Sequence, residues 1–189
     1  MKLWRVTCSV AMIAMLPFLV LRLLLKSRRN AGYRQRILER FACNQLASQT
    51  NPTLWVHAVS VGEVMASAPL VKEMIKRFGI NVVLTTTTPT GSAQVRRMFG
   101  DSVLHCYVPY DVGSFIHRFI RQMNVCVLVI METEIWPNML AVAKQKSIPC
   151  FLVNARLSER SFVRYARFHR LSRWMISNFS HILARHSHD

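Results

Sequence analysis

The sequence lacks the short motifs that carry nucleotide binding and nucleophilic catalysis in α/β proteins. It has no GxGxxG after its first apolar run, no phosphate-binding loop with its lysine, no GxSxG turn, and no cysteine with histidine in a catalytic pattern. These absences argue against a dehydrogenase, a kinase and a hydrolase. Carboxylates that act as general bases on a hydroxyl remain the candidates for catalysis.

Acidic residues are also scarce. The 189 residues include 25 Lys and Arg but only 9 Asp and Glu, which gives a formal net charge of +16. So basic a chain favours polyanionic partners, namely nucleic acid, anionic lipid or phosphorylated small molecules, and charge alone does not choose among them. The length corresponds to one domain with an appendage.

The cysteines form no CxxC pair. Their odd number and scattered positions, three of them in apolar strand-like runs, predict buried thiols in a reducing compartment. They are Cys8, Cys43, Cys106, Cys126 and Cys150. Histidines bunch only in the tail, at His181, His186 and His188, without the cysteine or carboxylate pattern of a metal site. We therefore predict no metal.

The N-terminus is a long apolar segment. Residues 6–21 carry no charge, and residues 23–25 extend the run past Arg22 to about 20 positions, enough for a helix to cross a bilayer. We predict a membrane anchor helix over residues 1–26 with its basic flank in the cytoplasm. Pro17 and Arg22 leave a tilted or monotopic helix as an alternative. A cleaved signal peptide is the other alternative, although basic residues follow in place of a cleavage pattern.

Residues 27–53 form a basic collar and a polar linker. The collar segment YRQRILERF is compatible with a helix, and its arginines most simply bind anionic headgroups at about 1 kcal/mol each. We therefore expect the collar to lie at an anionic membrane surface.

Residues 54–189 alternate apolar strand-like runs with helical runs. This pattern predicts an α/β fold, a Rossmann-like parallel sheet with helices on both faces. The predicted strands are residues 54–59, 81–85, 103–108, 125–131, 150–153 and 181–184. The predicted helices are residues 64–78, 92–99, 113–123, 138–146 and 159–179.

The last predicted helix interleaves arginines with aromatic residues, a mixture found in nucleic-acid-binding proteins. Its arginines recur every three or four residues along one side, which is more typical of a solvated or membrane-facing stripe. No RNP, KH or helix-turn-helix signature accompanies them. We predict no nucleic-acid partner.

Polar residues follow five of the predicted strands. In chain order they are Ser60, Gly62 and Glu63; Thr88, Thr90 and Gly91; Asp111; Glu132, Glu134 and Asn138; and Asn154 and Arg156. Because the carboxyl ends of parallel strands meet at one edge, these residues should line one crevice suited to a hydroxyl-rich ligand. Taken singly, each is also explained as a turn residue or a helix cap.

Glu63 has two interpretations. In the first turn of a helix, an acidic side chain caps free N–H groups and complements the helix dipole. Beside the end of a strand, the same carboxylate could accept a proton from a ligand hydroxyl, and like charges from Glu132 and Glu134 would raise carboxyl pKa values towards neutrality. The convergence of five strand ends favours the catalytic interpretation.

Five segments follow the hydrophobic N-terminus in this order: HAVSVGEV, TTTPTG, YVPYD, METEIWPN and NARLSERS. Together they resemble the 3-deoxy-D-manno-octulosonic acid (Kdo) transferases, over about residues 10–184. The resemblance implies a GT-B fold of two Rossmann-like domains. It also implies inverting transfer of Kdo from CMP-Kdo to the lipid A precursor, at the cytoplasmic face of the inner membrane of Gram-negative bacteria, without a metal or other cofactor.

Carried over by motif, the resemblance implies that Glu63 is the general base and that Glu132 stabilises the transition state. It implies that the collar and anchor helix hold the phosphorylated, acylated acceptor. CMP-Kdo would bind a C-terminal domain absent from these residues, so we expect the acceptor-binding half, inactive alone. The alternative is a non-catalytic anionic-lipid-binding remnant of a truncated transferase. The family often has GER and a following glycine where this chain has LERFA at residues 38–42.

Overall fold

A computed structural model of the protein describes residues 2–43, 46, 48–156, 167 and 169–184, with side chains from residue 9 onwards. Its α-helices are α1 (Lys2–Ser27), α2 (Val61–Phe78), α3 (Pro89–Phe99), α4 (Gly113–Gln122), α5 (Pro137–Gln145) and α6 (His169–Ile176). Its strands are β1 (Thr53–His57), β2 (Asn81–Thr86), β3 (Leu104–Tyr107), β4 (Val125–Met131), β5 (Cys150–Ala155) and β6 (His181–Ala184). Three short 3-10 helices cover Ala31–Tyr33, Ile37–Phe41 and Gly100–Ser102.

The six strands form one sheet in the order β3-β2-β1-β4-β5-β6, and every pair of neighbours is parallel. This order is that of a doubly wound Rossmann-like fold, so the predicted fold class is confirmed. Each strand begins and ends within two residues of its predicted bounds, because runs rich in apolar residues mark most of the parallel strands.

Two hydrophobic clusters cover the two faces of the sheet. On one face, Ile116 and Phe119 of α4 and Met175 of α6 pack against strand residues such as Trp55. On the other face, α2 and α3 pack against alternate strand residues, for example Val56. Neighbouring residues of β1 point to opposite faces, as the two-residue period of a strand requires.

Helices α2, α3 and α5 each begin where a strand ends, and local sequence fixes their first residues. Ser60 caps α2 and Thr88 caps α3 through side-chain oxygens that accept backbone N–H groups. Proline occupies the first turn of α3 and of α5, where its missing N–H costs nothing. The predicted starts of α2 and α3 were therefore three residues too late. Of the predicted helix 159–179, residues 159–166 and 168 lie outside the described residues, and α6 ends at Ile176, three residues before the predicted end.

The collar folds onto the sheet edge, which corrects the headgroup-binding role predicted for Arg36. Glu39 accepts the backbone N–H of Tyr107 in the outer strand β3 at 2.8 Å. Arg36 lies 2.6 Å from the other oxygen of Glu39 and donates to the carbonyl of His105 at 2.7 Å. A free strand edge and its carboxylate partner thus bind Arg36, whose side chain is half-buried.

The LERFA segment ends in a backbone conformation that favours glycine. Ala42, the last residue of this segment, has a φ of 55° and is 1% exposed. Its N–H donates to the carbonyl of Glu39 at 2.9 Å and closes the 3-10 helix.

The expectation of buried thiols holds for Cys106 and Cys150 but is wrong for Cys43, which is exposed, and Cys126 is half-buried. Cys43 lies in the collar directly after the C-cap of the 3-10 helix Ile37–Phe41, and its Sγ accepts from Arg118 at 3.4 Å. Burial of Cys106 and Cys150 raises the pKa of both thiols, which keeps them protonated.

Candidate functional site

Glu63 is a buried carboxylate at the junction of β1 and α2. Its backbone N–H donates to Ser60 Oγ at 3.3 Å, and its Oε2 accepts the N–H of Val59 at 2.8 Å. This reciprocal arrangement resembles a capping box shifted by one residue, and the side chain is only 5% exposed. The structure therefore shows the capping role that the sequence offered as one interpretation.

The pKa of Glu63 is raised above its ordinary value. Burial is the main cause, and the negative charges of Glu134 and Glu132 add to it, while the hydrogen bonds from Val59 and Ser60 oppose it. Glu132 and Glu134 follow β4, the neighbour of β1. The ends of these two strands therefore bring three carboxylates close enough for their charges to interact.

Glu132 occupies a restrained position at the end of β4. Its φ of 55° lies in the left-handed region, and its N–H donates to the carbonyl of Val153 in β5 at 2.9 Å. Asn154, at the corresponding end of β5, has a similar φ of 56°. Non-glycine residues persist in this region only where the surrounding structure holds them, and they are enriched at functional sites.

Asp111 and Asn138 form a buried pair that fixes the start of α5. The two carboxylate oxygens of Asp111 accept the N–H groups of Asn138 at 2.9 Å and Met139 at 2.8 Å. The Asn138 side chain donates to the Asp111 carbonyl at 2.6 Å. Burial raises the pKa of Asp111 to about 6 despite these bonds. Trp136 is the N-cap residue of α5 and gives no capping bond, so Asp111 supplies it from another segment.

The remaining predicted site residues lie at the same edge in different environments. Thr90 donates to Thr88 Oγ1 at 3.3 Å, and Gly91 is buried in a tight position, since an added Cβ would lie 3.1 Å from that same oxygen. Gly62 and Arg156 are exposed. An added Cβ on Gly62 would meet nothing closer than 3.9 Å.

Sequence reasoning did not assign Arg40 to the site. Its guanidinium is 4% exposed, donates to the carbonyl of Thr87 at 2.8 Å and lies 4.3 Å from the ring centroid of Tyr107. Its burial differs from the surface position that the collar prediction gave to these arginines. The ER pair in the LERFA segment was the available signal, but only the fold shows that it reaches the strand ends.

Sequence reasoning also did not assign His57 and Trp136 to the site. His57 at the end of β1 is fully buried, contacts Thr85 Oγ1 at 3.0 Å and packs edge-on against Trp136 with ring centroids 5.0 Å apart. Desolvation lowers the pKa of His57 to about 3, so its ring is neutral. Trp136 Nε1 donates to Glu134 Oε2 at 3.3 Å, which links this aromatic pair to the carboxylates.

A cleft of about 490 Å³ lies between α1 and the carboxyl ends of the strands. Apolar side chains of α1, such as Leu19, form one wall, and Trp136 and Arg40 belong to the opposite wall. Residues Ser9–Ser27 of α1 are long and apolar enough to cross a membrane, a property that a signal sequence near an N-terminus shares. Across the described residues, no three His, Cys, Asp or Glu side chains group in a way that could hold a metal.

Comparison with known proteins agrees with this architecture. The sequence profile of the 3-deoxy-D-manno-octulosonic-acid transferase (kdotransferase) family matches residues 35–189. The 3-deoxy-D-manno-octulosonic acid transferase of Haemophilus influenzae is 38% identical over 97% of this chain and 43% of its own length. That of Bordetella pertussis is 36% identical over 72% of this chain and 33% of its own length. The chain thus spans less than half the length of these relatives.

Among solved structures, the fold is similar to the crystal structure of MurG from Acinetobacter baumannii, with a TM-score of 0.51 at 10% identity. The similarity covers 71% of this chain and 41% of MurG. At that identity it shows the fold alone, a Rossmann-like sheet of the GT-B type. Sequence profile, relatives and fold together show that the chain belongs to the 3-deoxy-D-manno-octulosonic acid transferase family of glycosyltransferases.

Proposed function

We propose that this chain is the acceptor-binding half of an inverting transferase that moves Kdo from CMP-Kdo to the lipid A precursor. The observation that carries the proposal is the buried carboxylate of Glu63, whose pKa is raised by burial and by Glu134 and Glu132 beside it. A carboxylate in this state suits proton abstraction from a sugar hydroxyl near neutral pH. The substrate class comes from the Kdo transferases among the relatives.

In the proposed reaction, an acceptor hydroxyl attacks the anomeric carbon of Kdo while Glu63 takes the hydroxyl proton. Val59 holds Oε2 of Glu63, so Oε1 is the oxygen that receives the proton. The bond between the anomeric carbon and the CMP oxygen breaks, and its electron pair leaves with CMP. Attack from the face opposite CMP inverts the anomeric configuration. Glu132 stabilises the positive charge that develops at the anomeric carbon.

The other polar groups of the edge bind the acceptor in this proposal. Ser60, Thr90 and Arg156 are exposed around the crevice, and Thr88, Glu134 and Asn154 are half-buried within it. Gly62 leaves open space beside the base, and Gly91 lets α3 begin close to β2. Asp111 and Asn138 contribute by fixing α5 and therefore the position of Trp136.

No metal is needed in this scheme, because Glu63 supplies the base and Glu132 the counter-charge. CMP-Kdo binds a second domain outside the 189 residues, and the anchor helix places the chain at the cytoplasmic face of the bacterial inner membrane. The net charge of +16 suits an anionic membrane surface and a phosphorylated acceptor.

The test is transfer of labelled Kdo from CMP-Kdo to lipid A precursor in detergent. The chain is assayed alone and with a separately expressed donor-binding domain of a Kdo transferase. We expect the product, identified by mass, only when both polypeptides are present. Binding of the lipid without transfer under any complementation would favour the alternative of a non-catalytic lipid-binding domain, which the positive charge also supports.

A further inference from the structure

We propose that the cleft between α1 and the strand ends binds the acyl chain and the phosphate of the acylated acceptor, so that α1 is a wall of the binding site as well as an anchor. The identity of the lipid rests on the proposed function. The phosphate pairs with Arg22, Lys26 and Arg40, and the acyl chain lies along the apolar wall of the cleft.

Helix α1 contacts the domain near both ends of its segment Ser9–Ser27, none of whose residues is fully buried. Near its start, Ser9 Oγ donates to Asn138 Oδ1 at 3.1 Å, and near its end the ammonium of Lys26 lies 5.3 Å from the ring centroid of Tyr33. If α1 crossed a bilayer in this arrangement, the polar strand ends beside it would enter the hydrocarbon. The helix therefore lies in the membrane interface with one face on the domain.

The two faces of α1 differ in exposure. Met12, Leu19 and Leu23 recur at helical spacing, are half-buried and line the cleft. Phe18 and Ile13, on other sides of the helix, are 72% and 51% exposed. The outer surface of α1 thus faces the lipid, while its inner surface offers an apolar wall beside the bilayer, from which an acyl chain can enter.

Arg40 supplies a buried cation with incomplete pairing. Its Nε atom has no hydrogen-bond partner among the described residues, and no described carboxylate lies within 4.0 Å of its guanidinium. A buried charge is stable only when it is paired and hydrogen-bonded. A phosphate in the cleft would complete the pairing, since guanidinium forms strong charge-assisted bonds with phosphate oxygens.

The charges around the cleft select an anion. Arg22 and Lys26 project from α1 into the same space as Arg40, and the carboxylate in the lining, Asp111, is engaged by the start of α5. An apolar wall next to three cations matches an amphiphile with an acyl chain and a phosphate.

The cleft is connected to the proposed base through two residues. Arg40 donates to the carbonyl of Thr87, and Thr87 Oγ1 donates to the carbonyl of Val59 at 3.1 Å. The N–H of Val59 in turn binds Glu63. We expect a lipid whose phosphate lies on Arg40 to extend its sugar from the cleft towards Glu63, which favours the acceptor over bulk phospholipid as the occupant.

The test is equilibrium binding to the full chain purified in mild detergent. Radiolabelled lipid A precursor, the same lipid after phosphatase treatment, and phosphatidylglycerol are the three probes. We expect the untreated precursor to bind tightly, and the other two probes to bind at least about tenfold more weakly. The double substitution Arg22→Gln with Lys26→Gln should weaken precursor binding about tenfold, and Arg40→Gln at least as much. Arg29→Gln, a change at an exposed position outside the cleft, is the matched control and should change nothing.

A photoreactive group on the acyl chain provides a second readout. It should label Met12, Leu19 or Leu23 rather than Phe18, as mapped by mass spectrometry. Because Arg40→Gln could disturb folding, the pair on α1 decides the outcome. The cleft assignment would be overturned if the double variant and Arg29→Gln bound the precursor equally well. It would also be overturned if the unmodified chain bound phosphatidylglycerol as tightly as the precursor. Either result would leave the proposed transferase function standing. Failure of the unmodified chain to bind the precursor would instead refute the proposed function.

Discussion

The capping role of Glu63 predicts how two substitutions at this position affect stability. Its Oε2 accepts the N–H of Val59 at 2.8 Å within a site that is 5% exposed. Glu63→Ala removes this acceptor and leaves a buried N–H unpaired, at a cost of about 1–3 kcal/mol. Glu63→Gln keeps an oxygen at the same place and removes a carboxylate whose burial raises its pKa. At pH 8 the free energy of unfolding should therefore be lowest for Glu63→Ala, and Glu63→Gln should be at least as stable as the unmodified chain.

Equilibrium urea unfolding of the full chain in mild detergent, followed by far-UV circular dichroism, measures this order. A difference of about 2 kcal/mol between the two variants corresponds to roughly 4–8 °C in Tm for a chain of this size. Equal stability of Glu63→Ala and Glu63→Gln would refute the reasoning, because it would mean that the bond to Val59 contributes nothing.

Two further predictions concern pH and packing. Asp111, with a folded pKa of about 6 against an ordinary value of 3.8, gives stability that is fully present below about pH 3.8 and lost as the pH rises through about 6. Relative to Asp111→Asn, the free energy of unfolding of the unmodified chain should rise by ~1.4 kcal/mol from pH 8 to pH 5, as measured by urea unfolding. The same pH dependence of stability in the two proteins would contradict this prediction. An added Cβ on Gly32 would lie 2.9 Å from Pro89 Cβ, so Gly32→Ala should lower stability by about 1–3 kcal/mol. Gly62→Ala, where an added Cβ would meet open space, should change Tm little. Equal losses of stability in the two variants would contradict the close packing of Gly32 against Pro89.

The sheet was predictable because its evidence is local. Runs rich in apolar residues mark the six parallel strands, and their order follows the doubly wound pattern. The ends of the helices were less predictable, since a capping Thr88 and the following Pro89 can be either a turn or a helix start in sequence.

The collar shows what composition cannot reveal. Its arginines looked like a membrane-facing set, but Glu39 pairs with a strand edge that lies 68 residues away in sequence, and Arg36 follows it inwards. The position of α1 also depends on a long-range contact, since Ser9 of α1 and Asn138 are 129 residues apart in sequence. Such long-range contacts have no local signal, and they form the cleft that the sequence did not predict.

The candidate carboxylates were found from sequence because strand ends share an edge. Their functions are less accessible, since Glu63 caps a helix and also meets the requirements of a base. Asp111, in contrast, has both oxygens bound by α5, so its contribution shown here is structural. Exposure and hydrogen-bond partners distinguish a candidate base such as Glu63 from a structural carboxylate such as Asp111. Residue type alone reveals neither exposure nor hydrogen-bond partners.

The most direct test of the account is the rate of Kdo transfer by Glu63→Gln in the reconstituted assay with the donor-binding domain. Glu73→Gln is the matched control, because Glu73 lies on the same helix, away from the strand ends, in an exposed pair with Arg77. We predict that Glu63→Gln folds normally and transfers at least about 100-fold more slowly, while Glu73→Gln keeps the unmodified rate. Transfer by Glu63→Gln at the unmodified rate would contradict the assignment of Glu63 as the base.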